Sequence, residues 1–284
     1  MPSRKKSTLL STLLGDISPF TEVIEKVNRF LVERERSKPV YIPKGYHPSS
    51  LNTDTCPRLL VYERLGVKST AFLDAQTLRI FGDGTDRGNR IQRSLVESGV
   101  IREDATEVPI HGADTPEKRV RFKPDMLKLI DAAAKRTKEY EFRGHADFLD
   151  LANERGPTVG EIKGCNTVVY DRLREPLPKH VVQASIYADA FGFARILFLY
   201  ENKNTQEQQE FFIPPDQAAL KTVKGIVKVA QRGLAKGQLP DRIDECPSKT
   251  SKRACRCPFV ATCFSTKKFD ELDSREGIEP RDYR

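Results

Sequence analysis

The sequence predicts a mixed α/β core flanked by helices, with a cysteine-bearing segment outside it on each side. Three observations predict this. Short stretches in the middle of the chain alternate apolar and polar residues, the period of half-buried strands. Around and between them, apolar residues recur at helical spacing. Cysteines stand before the first of these strands, at 56, and after the last long helix, between 246 and 263.

Residues 18–36 place Phe20, Val23, Ile24, Val27, Phe30 and Leu31 on one helical face. A stretch rich in turn formers, 38–54, follows. Thr55-Cys56-Pro57-Arg58 opens a short helix that runs through Leu65 and ends at Gly66. Leu73 to Ser98 reads as a long helix interrupted at Gly82-Asp83-Gly84. Glu107 to Ile110 reads as a strand. Pro124 to Glu139 reads as a helix with proline in its first turn, where the missing N–H is not needed. Tyr140–Leu151 and Thr158–Lys163 read as strands joined by the turn Asn153-Glu154-Arg155-Gly156-Pro157. A helix over Leu177–Phe191, strands over Arg195–Tyr200 and Gln209–Ile213, and a helix over Asp216–Lys236 complete the core. The expected organisation is a helical extension over 1–55, a core over 56–240 and a cysteine module with a charged tail over 241–284.

The 284 residues suffice for a full core plus a small appended module. A hydrophobic share of 38% is ordinary for a globular chain and argues against disorder. No run approaches the roughly 18 uncharged apolar residues of a membrane helix. The basic start, Met1 to Lys6, is followed by a short apolar stretch, Leu9–Leu14, with no small-residue cleavage site, so no signal peptide is expected. The expected location is the cytoplasm, with no membrane partner. A net charge of +8 suits a polyanion such as nucleic acid, although a generic basic surface carries the same excess.

Gly144-His145-Ala146-Asp147 and Glu161-Ile162-Lys163 lie on the two neighbouring strands. Side chains alternate along a strand, so Glu161 and Lys163 point to one face. Pairing through the 153–157 turn sets Asp147 opposite Glu161. Two adjacent carboxylates repel, and a hard divalent cation such as Mg²⁺ relieves the repulsion. Such a cation polarises a phosphoryl oxygen and lowers the pKa of its bound water, and Lys163 is placed to stabilise developing charge. The triplet E-x-K alone is common on surface hairpins. Its surroundings raise its significance: Gly88-Asn89-Arg90-Ile91-Gln92 lies upstream on a helix, and Gln183-Ala184-Ser185-Ile186-Tyr187 downstream on another.

A helix with G-x-x-x-(H/Q/E), a strand with G-x-x-D, a strand with E-x-K and a helix with Q-x-x-x-Y, in this order, resemble the motif set of RecB-like nucleases of the PD-(D/E)xK superfamily. The resemblance runs from Gly88 to Tyr187. It implies a restriction-endonuclease-like core and metal-dependent DNA cleavage with Mg²⁺ or Mn²⁺. It implies Asp147, Glu161 and the Ile162 carbonyl as metal ligands and Lys163 as the catalytic lysine. It implies Gln183 and Tyr187 as residues that support the site and contact DNA. Many members carry His at the position of Gln92, and an amide cannot act as a general base.

Six cysteines stand at 56, 165, 246, 255, 257 and 263. Clustered cysteines in a cytosolic chain favour metal or cluster binding over disulfides. Four thiolates suit an iron–sulfur cluster or a zinc ion. Cys56-Pro57-Arg58, with a C-terminal group ending in C-x5-C from Cys257 to Cys263, resembles the iron–sulfur nucleases, which include CRISPR-associated adaptation nucleases and AddB. The resemblance implies a [4Fe–4S] cluster stapling the core through Cys56, Cys257, Cys263 and one further thiol. That thiol is Cys246, or alternatively Cys255, because the familiar C-x2-C-x5-C is broken by Ala254. Cys165 reads as a buried core thiol.

Arg87, Arg90 and Arg93, Lys221, Lys224 and Lys228, and Lys249, Lys252, Arg253 and Arg256 are candidates to follow a phosphate backbone, and Tyr170 and Tyr187 to stack bases. The expected function is a DNA exonuclease or end-processing enzyme of recombination, repair or phage DNA metabolism, acting on DNA with a free end or a single strand. The alternatives are a catalytically weak DNA-binding adaptor and a CRISPR spacer-acquisition nuclease.

Overall fold

A computed structural model describes residues 19–38, 42–69 and 73–275. These divide into two compact units. Residues 19–38 and 73–83 form the smaller, and 42–69 and 84–275 the larger.

In the smaller unit, helix α1 (Pro19–Arg36) accepts at Asn28 Oδ1 a 2.6 Å hydrogen bond from the Arg79 guanidinium. Val23, Ile24, Val27 and Phe30 of α1 are exposed. In the larger unit, helix α2 (Pro57–Arg64) starts at Pro57, as its sequence requires. Helix α3 (Ala75–Glu97) runs through Gly82-Asp83-Gly84 without the interruption its glycines predict. Glycine weakens a helix but leaves its hydrogen-bond ladder intact.

Five strands form one sheet in the order β1 (Thr106–Pro109), β2 (His145–Asp150), β3 (Thr158–Cys165), β4 (Ile196–Asn202) and β5 (Gln208–Ile213). Neighbours are antiparallel except β3 and β4, which run parallel across the connecting helix α7. Between the strands lie α4 (Pro116–Val120), α5 (Pro124–Thr137), α6 (Thr167–Tyr170) and α7 (Pro178–Phe191). Helix α8 (Gln217–Lys236) and the short α9 (Val260–Cys263) and α10 (Phe269–Leu272) follow. The short helices α4 and α6 lie in stretches to which the sequence pattern assigns no element; Thr115 and Asn166 cap them through their side chains.

The strand predicted over 140–151 is shorter, because Lys138–Tyr140 forms a 3-10 turn and Glu141 adopts a left-handed backbone, φ 50°. Residues 141–143 bond instead to Tyr46: Tyr46 N–H donates to the Glu141 carbonyl and Arg143 N–H to the Tyr46 carbonyl. That contact withdraws them from the hairpin.

Helices cover both faces of the sheet. On one, Ile91, Leu95 and Val96 of α3 pack against Phe148, Ile162, Leu197, Leu199 and Phe212. On the other, Met126 and Ile130 of α5, Ile186 of α7 and Val223 and Val227 of α8 join Val159, Phe198 and Tyr200 in the main core. Gly160 makes room on the first face: a Cβ there would stand 2.1 Å from Phe148 Cζ. Arg87 and Arg90 of α3 both reach Glu201 of β4, at 2.9 and 2.7 Å, and Glu201 is only 1% exposed. Among the described residues, no helix is long and apolar enough to cross a membrane.

Candidate active site

The β2–β3 ladder pairs Phe148 with Gly160 and Leu149 with Val159. Continued one step, it sets Asp147 opposite Glu161, as the hairpin predicts. Here the strands part, and the Ile162 N–H donates to Asp147 Oδ2 at 2.6 Å instead of closing a backbone pair. Glu161 is fully buried, 0% exposed. Lys163 Nζ lies 2.5 Å from Glu161 Oε1 as an ion pair, yet neither carboxylate oxygen has an aligned hydrogen-bond partner. The ammonium also donates to Gln183 Oε1 of α7 at 3.2 Å. The structure thus brings Asp147, Glu161, Lys163 and Gln183 together.

Burial pushes the Glu161 carboxyl up to about 8, Asp147 and Glu107 adding to the rise and Lys163 opposing it. Burial also raises Asp147, against Lys163 and the Ile162 N–H. For Lys163, burial acts to lower its pKa, but the attraction of Glu161 and Asp147 outweighs it and holds the ammonium charged. Ionised together, the two buried carboxylates would exceed the one ammonium, and removal from water makes such an excess costly, which is why the Glu161 carboxyl is pushed up.

Gln92 of α3 donates through Nε2 to the Asp147 carbonyl at 2.9 Å and to Glu107 Oε1 at 2.7 Å. The amide thus holds a strand and a carboxylate. Glu107 is a site residue that sequence reasoning misses. It lies on β1 with φ 46°, and alternation along a strand carries no sign of that backbone. Tyr187 is 1% exposed, so it offers no face for a base and belongs to the core. Its hydroxyl packs beside Gly144, where a Cβ would stand 3.0 Å from it and 3.3 Å from His47 Nε2. All four histidines of the chain gather around this region. His111 and His145 meet edge to face at 5.2 Å, and His180 Nδ1 lies 2.6 Å from the Tyr200 hydroxyl. Burial pulls His47 and His145 down to about 4, with His111 contributing to both, and burial and Lys163 pull His180 down to about 3. Of Ile162, the N–H is the group turned to Asp147.

The donors here are carboxylate oxygens, which suit a hard divalent cation. The buried Glu161 carboxylate, ion-paired with Lys163 but without an aligned hydrogen bond, is the observation that fits one. As the side chains stand, no group of three or more His, Cys, Asp or Glu among the described residues is arranged to hold a metal ion.

Cys56, Cys246, Cys257 and Cys263 line one cavity of about 570 Å³. Cys56 caps the start of α2, and the other three come from the C-terminal segment. Cys255 does not line it: its thiol is exposed and donates to the Lys249 carbonyl at 3.5 Å. Burial raises Cys246 and Cys257, and neighbouring thiols from this set add to both. Arg58 approaches Cys263 Sγ at 3.8 Å, and Arg242 donates to the Cys263 carbonyl at 3.0 Å. Thiols are the donor type of a thiolate-bound cluster or zinc, but as they stand these four form no group arranged to hold a metal ion. Cys165 is buried in the main core, apart from this cavity.

Several predicted phosphate contacts are engaged elsewhere. Arg87 is buried and, with Arg90, pairs with Glu201. Lys224 pairs with Asp189, Lys228 with Glu139, and Arg253 with Asp54. Tyr170 packs against the main core.

The sequence matches no protein family and no curated protein. Solved structures share a distant likeness. SSO0001 is 18% identical, over 85% of this chain and 96% of that one, with a TM-score of 0.39. An alkaline exonuclease from Laribacter hongkongensis, LHK-Exo, is 14% identical over 73% of this chain and 93% of that one, with a TM-score of 0.39. Its complex with dAMP gives 15%, 75% and 93%, with the same TM-score.

Proposed function

We propose that the protein is a DNA nuclease dependent on Mg²⁺ or Mn²⁺, and that it removes nucleotides from, or trims, DNA with a free end or a single strand. The observation that carries this reading is the buried Glu161 carboxylate, without an aligned hydrogen bond, beside Asp147 and Lys163 on adjoining strands. Asp147, Glu161 and the Ile162 carbonyl would hold the cation, which when bound supplies Lewis-acid activation of water and of a phosphoryl oxygen. Lys163 keeps its proton and offers positive charge to a phosphate oxygen. Gln183 aims that ammonium, and Gln92 fixes β2 behind Asp147. On this reading the four thiols at the cavity hold a [4Fe–4S] cluster that ties the segment after residue 240 to the start of the core.

End-labelled single- and double-stranded DNA, incubated with Mg²⁺, Mn²⁺ or chelator, tests the reading. Cleavage is expected only with the cation, and Glu161→Gln and Lys163→Ala should each slow it by at least about 10²-fold. Undiminished cleavage by both variants would remove the site. DNA binding without any cleavage by the wild-type protein would favour a binding adaptor.

A further inference from the structure

Resting on the nuclease reading, we propose that His180 binds the DNA strand, donating through its Nε2–H to a phosphate oxygen beside Lys163, and that the buried Tyr200 hydroxyl sets the tautomer that allows it. Tyr200 is 0% exposed. Its hydroxyl oxygen accepts from the Leu177 N–H at 3.0 Å and lies 2.6 Å from His180 Nδ1. Burial pushes Tyr200 up to about 12, so the phenol keeps its proton. A buried O–H needs an acceptor, and among the described residues Nδ1 is the one within reach. Nδ1 therefore accepts, and the ring carries its hydrogen on Nε2. Burial, with the charge of Lys163 adding to it, pulls the imidazole down to about 3, so the ring stays neutral and keeps that one donor.

His180 lies in the first turn of α7, three residues before Gln183, and residues at this spacing share a helix face. Gln183 Oε1 accepts from Lys163 Nζ at 3.2 Å. Lys163 in turn pairs in register with Tyr200 across β3 and β4. The helix face and the strand register both set His180 close to Lys163, whose charge it feels. The ring is half-buried, makes no ion pair among the described residues, and finds among them no acceptor for Nε2. A histidine of the core would spend both nitrogens on the protein. His180 spends one. The other is a neutral donor next to an ammonium, and the two together suit a phosphate: charge from Lys163, a directed hydrogen bond from His180.

The experiment compares full-length wild type, His180→Ala and His180→Gln on end-labelled single-stranded DNA with saturating Mn²⁺, and follows their binding of the same DNA in chelator by fluorescence anisotropy. A hydrogen bond to a charged oxygen contributes about 10-fold or more in affinity. His180→Ala should therefore raise KM and weaken metal-free binding by at least that factor, with kcat lowered less. His180→Gln, whose amide N–H stands in for Nε2–H, should regain most of the loss. In ¹⁵N spectra of histidine-labelled wild type, the His180 signals, identified by their absence in His180→Gln, should show Nδ1 bare and Nε2 protonated, and Nε2–H should shift when the DNA is added. Wild-type KM and binding in His180→Ala, an equal loss in the Ala and Gln variants, or a proton on Nδ1 overturns the assignment. Glu161→Gln, run beside them, separates the two readings: its cleavage should be lost, and wild-type cleavage there removes the nuclease site itself.

Discussion

At Gly160 a hydrogen in place of a side chain lets the Phe148 ring lie across β3. Alanine there would drive its methyl into that ring, so Gly160→Ala should cost about 1–3 kcal/mol, as overpacking of a core does, read as a lowered midpoint in urea. The histidines make a second prediction. His47, His145 and His180 have folded values below the unfolded 6.5, at about 4, 4 and 3. Between these limits the unfolded chain binds more protons than the folded one. The stability they contribute is therefore complete above pH 6.5 and is lost as the pH falls toward about 4. The melting temperature should drop over that window by about 2–4 °C for each kcal/mol lost. His180→Gln should make the drop shallower, and an unchanged slope would acquit that ring.

Between elements, Glu201 fastens α3 to β4. It accepts from Arg87 and Arg90, and Gln208 Nε2 adds a 3.0 Å bond. Neutralising it strands a buried guanidinium, so Glu201→Gln should destabilise the protein by about 3–5 kcal/mol in chemical denaturation. At this scale much of the fold was legible. The E-x-K strand, its hairpin partner and the helix that brings Gln183 over Lys163 follow from alternation and helical spacing. What escaped depends on long-range contact. Tyr46 captures residues 141–143, ninety-odd positions away, and no local pattern announces it. The basic residues of α3 look free in sequence because Glu201 is remote from them. Tyr187 has the chemistry to stack on a base, and only the packed fold shows it sealed inside. Glu107 was hidden because φ at a strand residue leaves no mark on composition.

Across the whole molecule, four thiols from the segments before and after the sheet line one cavity. If they hold a cluster, Cys56→Ala should bleach the protein and lower its stability by about 2–5 kcal/mol, the range for a cross-link closing a long loop. Cys246→Ala should bleach it too, whereas Cys255→Ala and Cys165→Ala should keep the colour near 400 nm; a coloured Cys246→Ala protein would refute the assigned set. Their placement also orders events during synthesis. Cys56 leaves the ribosome before any strand of the sheet, and Cys246, Cys257 and Cys263 after all five. Domains form from the N-terminal side as the chain emerges. The sheet can therefore assemble while the cavity still has one wall; if the thiols hold a cluster, its insertion would be a late step that acts on a nearly finished fold.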